Sequence, residues 1–204
     1  MKDQTDQIDE KRRCFLRRAT TAVGGLGIVA AAVPFASYWL PSEDTEAAGA
    51  PIKIDISALK PREQFTVPWR GMPIWVIYRD QEMLDSLAKL NDRLRDPLCE
   101  QDQQPAYCKN IHRSIKPQYL IAIGICTHLG CVPTYRPDVA SVSADWLGGF
   151  YCPCHGSKYD LAGRVYKDVP APLNLKIPRH MYASDTEIMI GEDQDGVQGA
   201  ISIS

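Results

Sequence analysis

The 204-residue sequence has almost no net charge: 23 Lys/Arg against 25 Asp/Glu leave a formal −2. That gives a nucleic-acid partner no electrostatic footprint to work with. There is no internal repeat, no nucleotide-binding pattern and no arrangement that marks an activated nucleophile. Histidine is scarce, at four residues. Charge is missing altogether from residues 19–40, ATTAVGGLGIVAAAVPFASYWL. The length suits one folded domain with an appendage and is short for two full domains.

The 22 uncharged residues make a helix of about 33 Å, close to the roughly 30 Å of a bilayer core. Glycine and Pro34 are poor in a soluble helix but tolerated in a membrane span, and Tyr38 and Trp39 stand where aromatic rings favour the interface. Before the span, residues 1–18 carry six Lys/Arg and four Asp/Glu, and five of the eight side chains from Lys11 to Arg18 are basic. The positive-inside rule keeps this end cytoplasmic and sends residues 41–204 across. Arg12-Arg13-Cys14-Phe15-Leu16 resembles a twin-arginine export signal, with Lys11 where Ser or Thr is commoner. Ala47, Ala48 and Ala50 offer a cleavage site, but they lie beyond the apolar run, so the stretch reads as an uncleaved anchor.

Residues 41–51, PSEDTEAAGAP, read as a linker or hinge into the soluble domain. From residue 52 the pattern is of short strands. Ile52, Ile54 and Ile56 alternate with polar residues. Phe65–Val67, Ile74–Tyr78, Tyr119–Ile125, Val139–Val142, Val165–Tyr166, Leu175–Ile177 and Glu187–Ile190 are further strand candidates, broken by Pro and Gly. Glu82–Leu94 places Met83, Leu84, Leu87, Leu90 and Leu94 on one helical face. Residues 95–118 are polar and irregular. The expected fold is mainly β: an antiparallel β domain over residues 52–204 with a helix-and-loop insertion, preceded by a single membrane helix.

Of seven cysteines, four fall in two short segments, Cys126-Thr127-His128-Leu129-Gly130-Cys131 and Cys152-Pro153-Cys154-His155-Gly156-Ser157. Cysteine clustered beside histidine reads as a metal site. One tetrahedral zinc needs four ligands and leaves two groups spare. A four-cysteine cluster leaves both histidines unused. A [2Fe–2S] centre of the two-Cys, two-His type leaves two cysteines, which an oxidising compartment favours joining. Elsewhere Cys99 and Cys108, separated by eight residues in the polar segment, are candidates for a second disulfide in that compartment. His112 and His180 have no such neighbours and read as ordinary structural histidines.

The two segments resemble the cluster loops of Rieske proteins, C-T-H-L-G-C and C-P-C-H-G-S. The chain as a whole, with export signal, anchor, hinge and soluble domain, resembles the Rieske iron–sulfur subunit of bacterial ubiquinol–cytochrome c oxidoreductases. Rieske ferredoxins and ring-hydroxylating dioxygenases share the ligand set but usually lack the extra cysteine pair and the anchor. The resemblance implies one [2Fe–2S] cluster held by Cys126, Cys152, His128 and His155, with a disulfide between Cys131 and Cys154. It implies that Ser157 donates a hydrogen bond to a bridging sulfide and Tyr159 to a ligand-cysteine sulfur, and that Leu129 shields the cluster at its docking face. Val169-Pro170-Ala171-Pro172-Leu173-Asn174-Leu175 resembles the family's cluster-covering proline loop, with Val169 where glycine is usual.

The same resemblance implies a catalytic subunit active only within its complex, a translocase of the respiratory chain. It would take an electron and a proton from ubiquinol at the site on cytochrome b, with His155 meeting the quinol hydroxyl. It would swing on the linker and pass the electron to a membrane-bound c-type cytochrome. The implied complex is dimeric, and the implied location is the bacterial inner membrane, with a cytoplasmic N-terminus and a periplasmic domain. Two other readings are the Rieske subunit of a different periplasmic oxidoreductase, such as an arsenite-oxidase-like enzyme, and a noncatalytic tethered metal-binding module.

Overall fold

The computed structural model describes residues 10–40, 42 and 49–193. The chain divides into two units, Met1–Ala47 and Ala48–Ser204. Most of the expected linker, 41 and 43–48, lies outside the described residues.

In the first unit, α1 runs Glu10–Ser37, 28 residues, with none of them buried. It is long and apolar enough to cross a membrane by length and composition. It takes in the basic residues 11–18 as well as the uncharged run, and stops three residues before the expected end. There Ser37 Oγ donates to the Pro34 carbonyl and Trp39 and Leu40 close single turns.

Among the described residues, the second unit has nine short strands in three antiparallel sheets. The first joins β1 (Ile52–Asp55), β9 (Glu187–Ile190) and β8 (His180–Tyr182). The second joins β2 (Gln64–Trp69), β3 (Met72–Tyr78) and β4 (Tyr119–Ile123). The third joins β5 (Thr134–Arg136), β6 (Gly149–Tyr151) and β7 (Lys158–Tyr159). The alternating isoleucines of β1 pair across to β9, Ile52 with Ile190 and Ile54 with Ile188.

Successive side chains of a strand face opposite ways, and β3 uses both faces. Ile74 and Val76 enter one packed group with Ile54, Trp69, Ile121 and Ile188. Trp75 and Ile77 enter another with Phe150, Tyr159, Cys126 and Cys152. This double burial is why β3 reads as an unbroken apolar run. Trp75 stacks on Phe150 at 5.0 Å between centroids. A side chain on Gly124 would put its Cβ 2.2 Å from the Trp75 ring, so only glycine lets the chain leave β4 over that indole.

Four expectations need correction. The helix expected at Glu82–Leu94 is α2, Gln81–Ala88, capped by the Asp80 side chain on the Met83 N–H and followed by a 3₁₀ turn at Asn91–Arg93. Arg164 Nη2 takes the Leu87 carbonyl at 2.7 Å, the acceptor that a continuing helix would need, and Arg164 Nη1 takes Asn91 Oδ1 at 2.9 Å. Leu90 and Leu94 are still buried, against Trp146 and Tyr166. Val139–Val142 is not a strand: residues 138–145 are turns and bends, with Ala140 left-handed at φ 59°. Val165–Tyr166 makes only isolated bridges, to Tyr159 and Leu94, and Leu175–Ile177 is extended chain outside any ladder.

Candidate metal centre

The two Cys/His segments are connections of the second and third sheets. The first leaves β4 for β5; the second turns between β6 and β7. They fold alike. In each, the N–H of the first cysteine donates to the carbonyl five residues on: Cys126 to Cys131 at 2.7 Å, Cys152 to Ser157 at 2.8 Å. In each, a glycine N–H four residues on returns to that cysteine's carbonyl, Gly130 at 3.1 Å and Gly156 at 2.9 Å. Both glycines are left-handed, at φ 80° and 77°, a conformation that glycine adopts without steric cost. The common spacing thus closes both loops with the same two bonds.

A disulfide joins Cys131 and Cys154 across the loops, 23 residues apart in sequence. The sulfurs of Cys131, Cys152 and Cys154 lie within 4.8 Å of one another, but two of them are bonded together and have no thiolate to give. The thiols of the two loops that remain are Cys126 and Cys152, 2% and 1% exposed. Burial pushes the Cys152 thiol up, while the N–H groups of Cys154 and His155 pull it down. The rings of His128 and His155 meet edge to face, 4.7 Å between centroids. His128 is half-buried and His155 exposed.

These residues fit a [2Fe–2S] group. They supply two buried thiols and two imidazoles, one half-buried and one exposed, and a Rieske centre needs two Cys and two His. His128 Nδ1 is buried with no hydrogen-bond partner in the protein, the state of a nitrogen suited to a metal.

The surroundings orient the donors. Tyr159, fully buried, places its hydroxyl 3.2 Å from Cys126 Sγ and accepts the Thr127 N–H at 3.1 Å. Ser157, also fully buried, accepts the Ala171 N–H at 3.1 Å, which leaves its own proton to donate. Thr127 Oγ1 donates to the Leu173 carbonyl at 2.7 Å. The Thr127 and Ser157 bonds thereby tie the 169–175 proline loop to the first and second loops respectively. The left-handed residue at its start is Asp168, φ 58°, and not Val169. Leu129 stands out from the first loop, 71% exposed.

Thr127 is a site residue that sequence reasoning misses, because its residue type alone gives no signal for the part it plays. The same holds for Asn174, whose Oδ1 accepts the Val165 N–H and whose Nδ2 reaches the Asp96 carbonyl. The disulfide expected between Cys99 and Cys108 is absent. Both are free buried thiols: Cys108 packs among Trp75, Ile77 and Leu120, and Cys99 Sγ faces the Asn110 carbonyl at 3.9 Å. Each is held in place by its own surroundings. His180 is a structural histidine, with Nδ1 2.9 Å from the Pro178 carbonyl.

Comparison with known proteins agrees with this geometry. Residues 100–179 match the family model of the Rieske [2Fe-2S] domain. Residues 1–42 match that of the ubiquinol–cytochrome c reductase Fe-S subunit TAT signal. The chain is 54% identical over 189 residues to the ubiquinol–cytochrome c reductase iron–sulfur subunit of Allochromatium vinosum, covering 92% of this chain and 91% of that one. It is 41% identical to the subunit of the same name from Bradyrhizobium diazoefficiens, over 88% and 94% of the two chains. For the Rhodospirillum rubrum subunit the values are 39%, 90% and 93%.

Proposed function

This chain belongs to the family of ubiquinol–cytochrome c reductase iron–sulfur subunits, and on that premise we propose that Cys126, Cys152, His128 and His155 hold its [2Fe–2S] cluster at a quinol-oxidising site. In this reading the subunit takes one of ubiquinol's two electrons, with a proton, where it meets cytochrome b. It then delivers the electron to a membrane-bound c-type cytochrome. The working assembly is a dimeric complex, in which this chain is a catalytic subunit. Residues 1–18 lie in the cytoplasm, 19–40 in the membrane and 52–204 in the periplasm, with 41–51 as the hinge.

The observation that carries the proposal is the asymmetry of the site. Both site thiols are 1–2% exposed, whereas His155 and Leu129 are exposed. The bound cluster supplies one-electron chemistry at a potential raised by imidazole ligation, roughly −150 to +300 mV against about −400 mV for plant-type ferredoxins. The protein residues do the rest. His155 accepts the hydrogen bond of the quinol hydroxyl and takes its proton. Leu129 covers the docking edge and excludes water there. Tyr159 and Ser157 place O–H donors towards sulfur, which draws charge from it and favours the reduced state. Cys131–Cys154 holds the two loops in register.

The test is replacement of His128 or His155 by leucine in the intact complex. Loss of the reduced Rieske EPR signal together with quinol oxidation is expected. A normal signal and iron content in either variant would rule out the ligand set.

A further inference from the structure

Three guanidinium groups are buried in the domain, Arg79, Arg113 and Arg164, each 0–1% exposed. Among the described residues Asp160 is the only carboxylate buried with them. Asp160 is used up by Arg164: its Oδ2 receives Nε at 2.8 Å and Nη2 at 2.7 Å, and its Oδ1 receives the N–H groups of Ala162 and Arg164. The other two arginines have neutral acceptors. Arg79 donates to the carbonyls of His112, Leu161 and Pro117 and to Ser114 Oγ. Arg113 donates to the carbonyls of Ala162, Gly163 and Gln103 and to Gln104 Oε1. Nε of each is buried without a partner. The interior therefore holds three positive charges and one negative: Asp160 acts on Arg79 and Arg113 across space but bonds only Arg164, which leaves a net excess of two.

That excess charge lies close to the metal site. All three arginines converge on the segment 160–164, which continues directly from β7 and Tyr159. Gly163 O, the acceptor of Arg113 Nη1 at 3.2 Å, also accepts the Leu175 N–H at 2.8 Å. Leu175 packs in the same group as Tyr159, Cys126 and Cys152. The Gly163 turn thus joins Arg113 to the packed group that contains the two site thiols. Burial lowers the pKa of Arg79 to about 10 and that of Arg113 below its ordinary value, but a guanidinium in a protein keeps its proton. Solvent and salt screen such a charge far less than one on the surface.

Reduction places one more negative charge on the cluster, and a fixed positive charge nearby favours that state. We propose that Arg113, held by the inserted segment against the Ala162–Gly163 turn, raises the reduction potential of the cluster through a buried positive charge that no carboxylate neutralises. Arg113 does not touch the cluster; it acts through the field. This rests on the reading that Cys126, Cys152, His128 and His155 hold the cluster.

The experiment is an EPR-monitored redox titration of the complex in membranes, for the wild type and Arg113→Gln. Arg113→Gln is expected to keep the reduced signal at a lower midpoint potential. An unmoved potential in Arg113→Gln overturns the inference. Gln104→Glu covers the case in which Arg113→Gln fails to assemble. It places a carboxylate where Gln104 Oε1 already receives Arg113 Nη2 at 2.9 Å, and the buried guanidinium keeps that carboxylate ionised. Its midpoint potential is expected to fall, and an unchanged value overturns the inference. A wild-type complex with no Rieske signal would instead sink the cluster reading.

Discussion

The Tyr159 hydroxyl has one proton and two places to send it, Cys126 Sγ and Thr127 Oγ1, each 3.2 Å away. Thr127 Oγ1 uses its own proton on the Leu173 carbonyl, and the Thr127 N–H is already donated to Tyr159. The phenol is thus a donor within this network. A metal-bound thiolate is the stronger acceptor, because hydrogen bonds to charged groups exceed neutral ones.

Tyr159→Phe keeps most of the ring's packing and removes that donor. We expect the cluster to remain, with a lower midpoint potential and slower quinol oxidation. The Thr127 N–H also loses its acceptor, which costs about 1–3 kcal/mol of domain stability. Redox titration and thermal melting separate the two effects. A variant with unchanged potential would show that the phenol does not donate to sulfur.

Replacing Cys131 and Cys154 together by serine releases the link between the loops. For a loop of this length, chain-entropy reasoning gives a loss of about 3 kcal/mol. The EPR signal should form in smaller yield and disappear at lower temperature than in the wild type. Equal yield and equal thermal loss would mean that the bond is dispensable for holding the loops.

His180 gives the domain a pH dependence. It is 1% exposed, and burial pushes its pKa from 6.5 to about 4. Between those values the unfolded chain binds a proton that the folded chain refuses. The contribution is therefore complete above about pH 6.5 and is lost as pH falls towards about 4, on the order of 3 kcal/mol in all. Denaturant titrations across this window should show a steeper decline for the wild type than for His180→Gln. Parallel curves would contradict the assignment.

Cys99 and Cys108 should resist alkylation in the native protein. Burial raises both thiols, Cys108 to about 12, and the thiolate is the reactive form. Peptide mapping after labelling should find both modified only once the domain is unfolded. Recovery of a bridged Cys99–Cys108 peptide without reductant would restore the pairing expected from the sequence.

Features confined to one stretch of chain were legible in the sequence. The helical run through 19–37, the isoleucine alternation of β1 and the apolar run of β3 each follow from a local period. So do the two metal loops: cysteine first and glycine four residues later lets each close on itself with the same pair of backbone bonds. Spacing alone did not say which cysteines pair, and the Cys131–Cys154 link was implied only by family resemblance. Other outcomes depend on partners far apart in sequence. Arg164 captures the Leu87 carbonyl and ends α2 six residues short of its apolar pattern. Cys99 and Cys108, close in sequence, stay unbonded because each is packed by different neighbours. Nothing in the sequence singles out Arg79 and Arg113, yet the fold buries both against carbonyls. A carbonyl's donor, a thiol's packing and a charge's screening are set by what competes for them in three dimensions, and no local period encodes that competition.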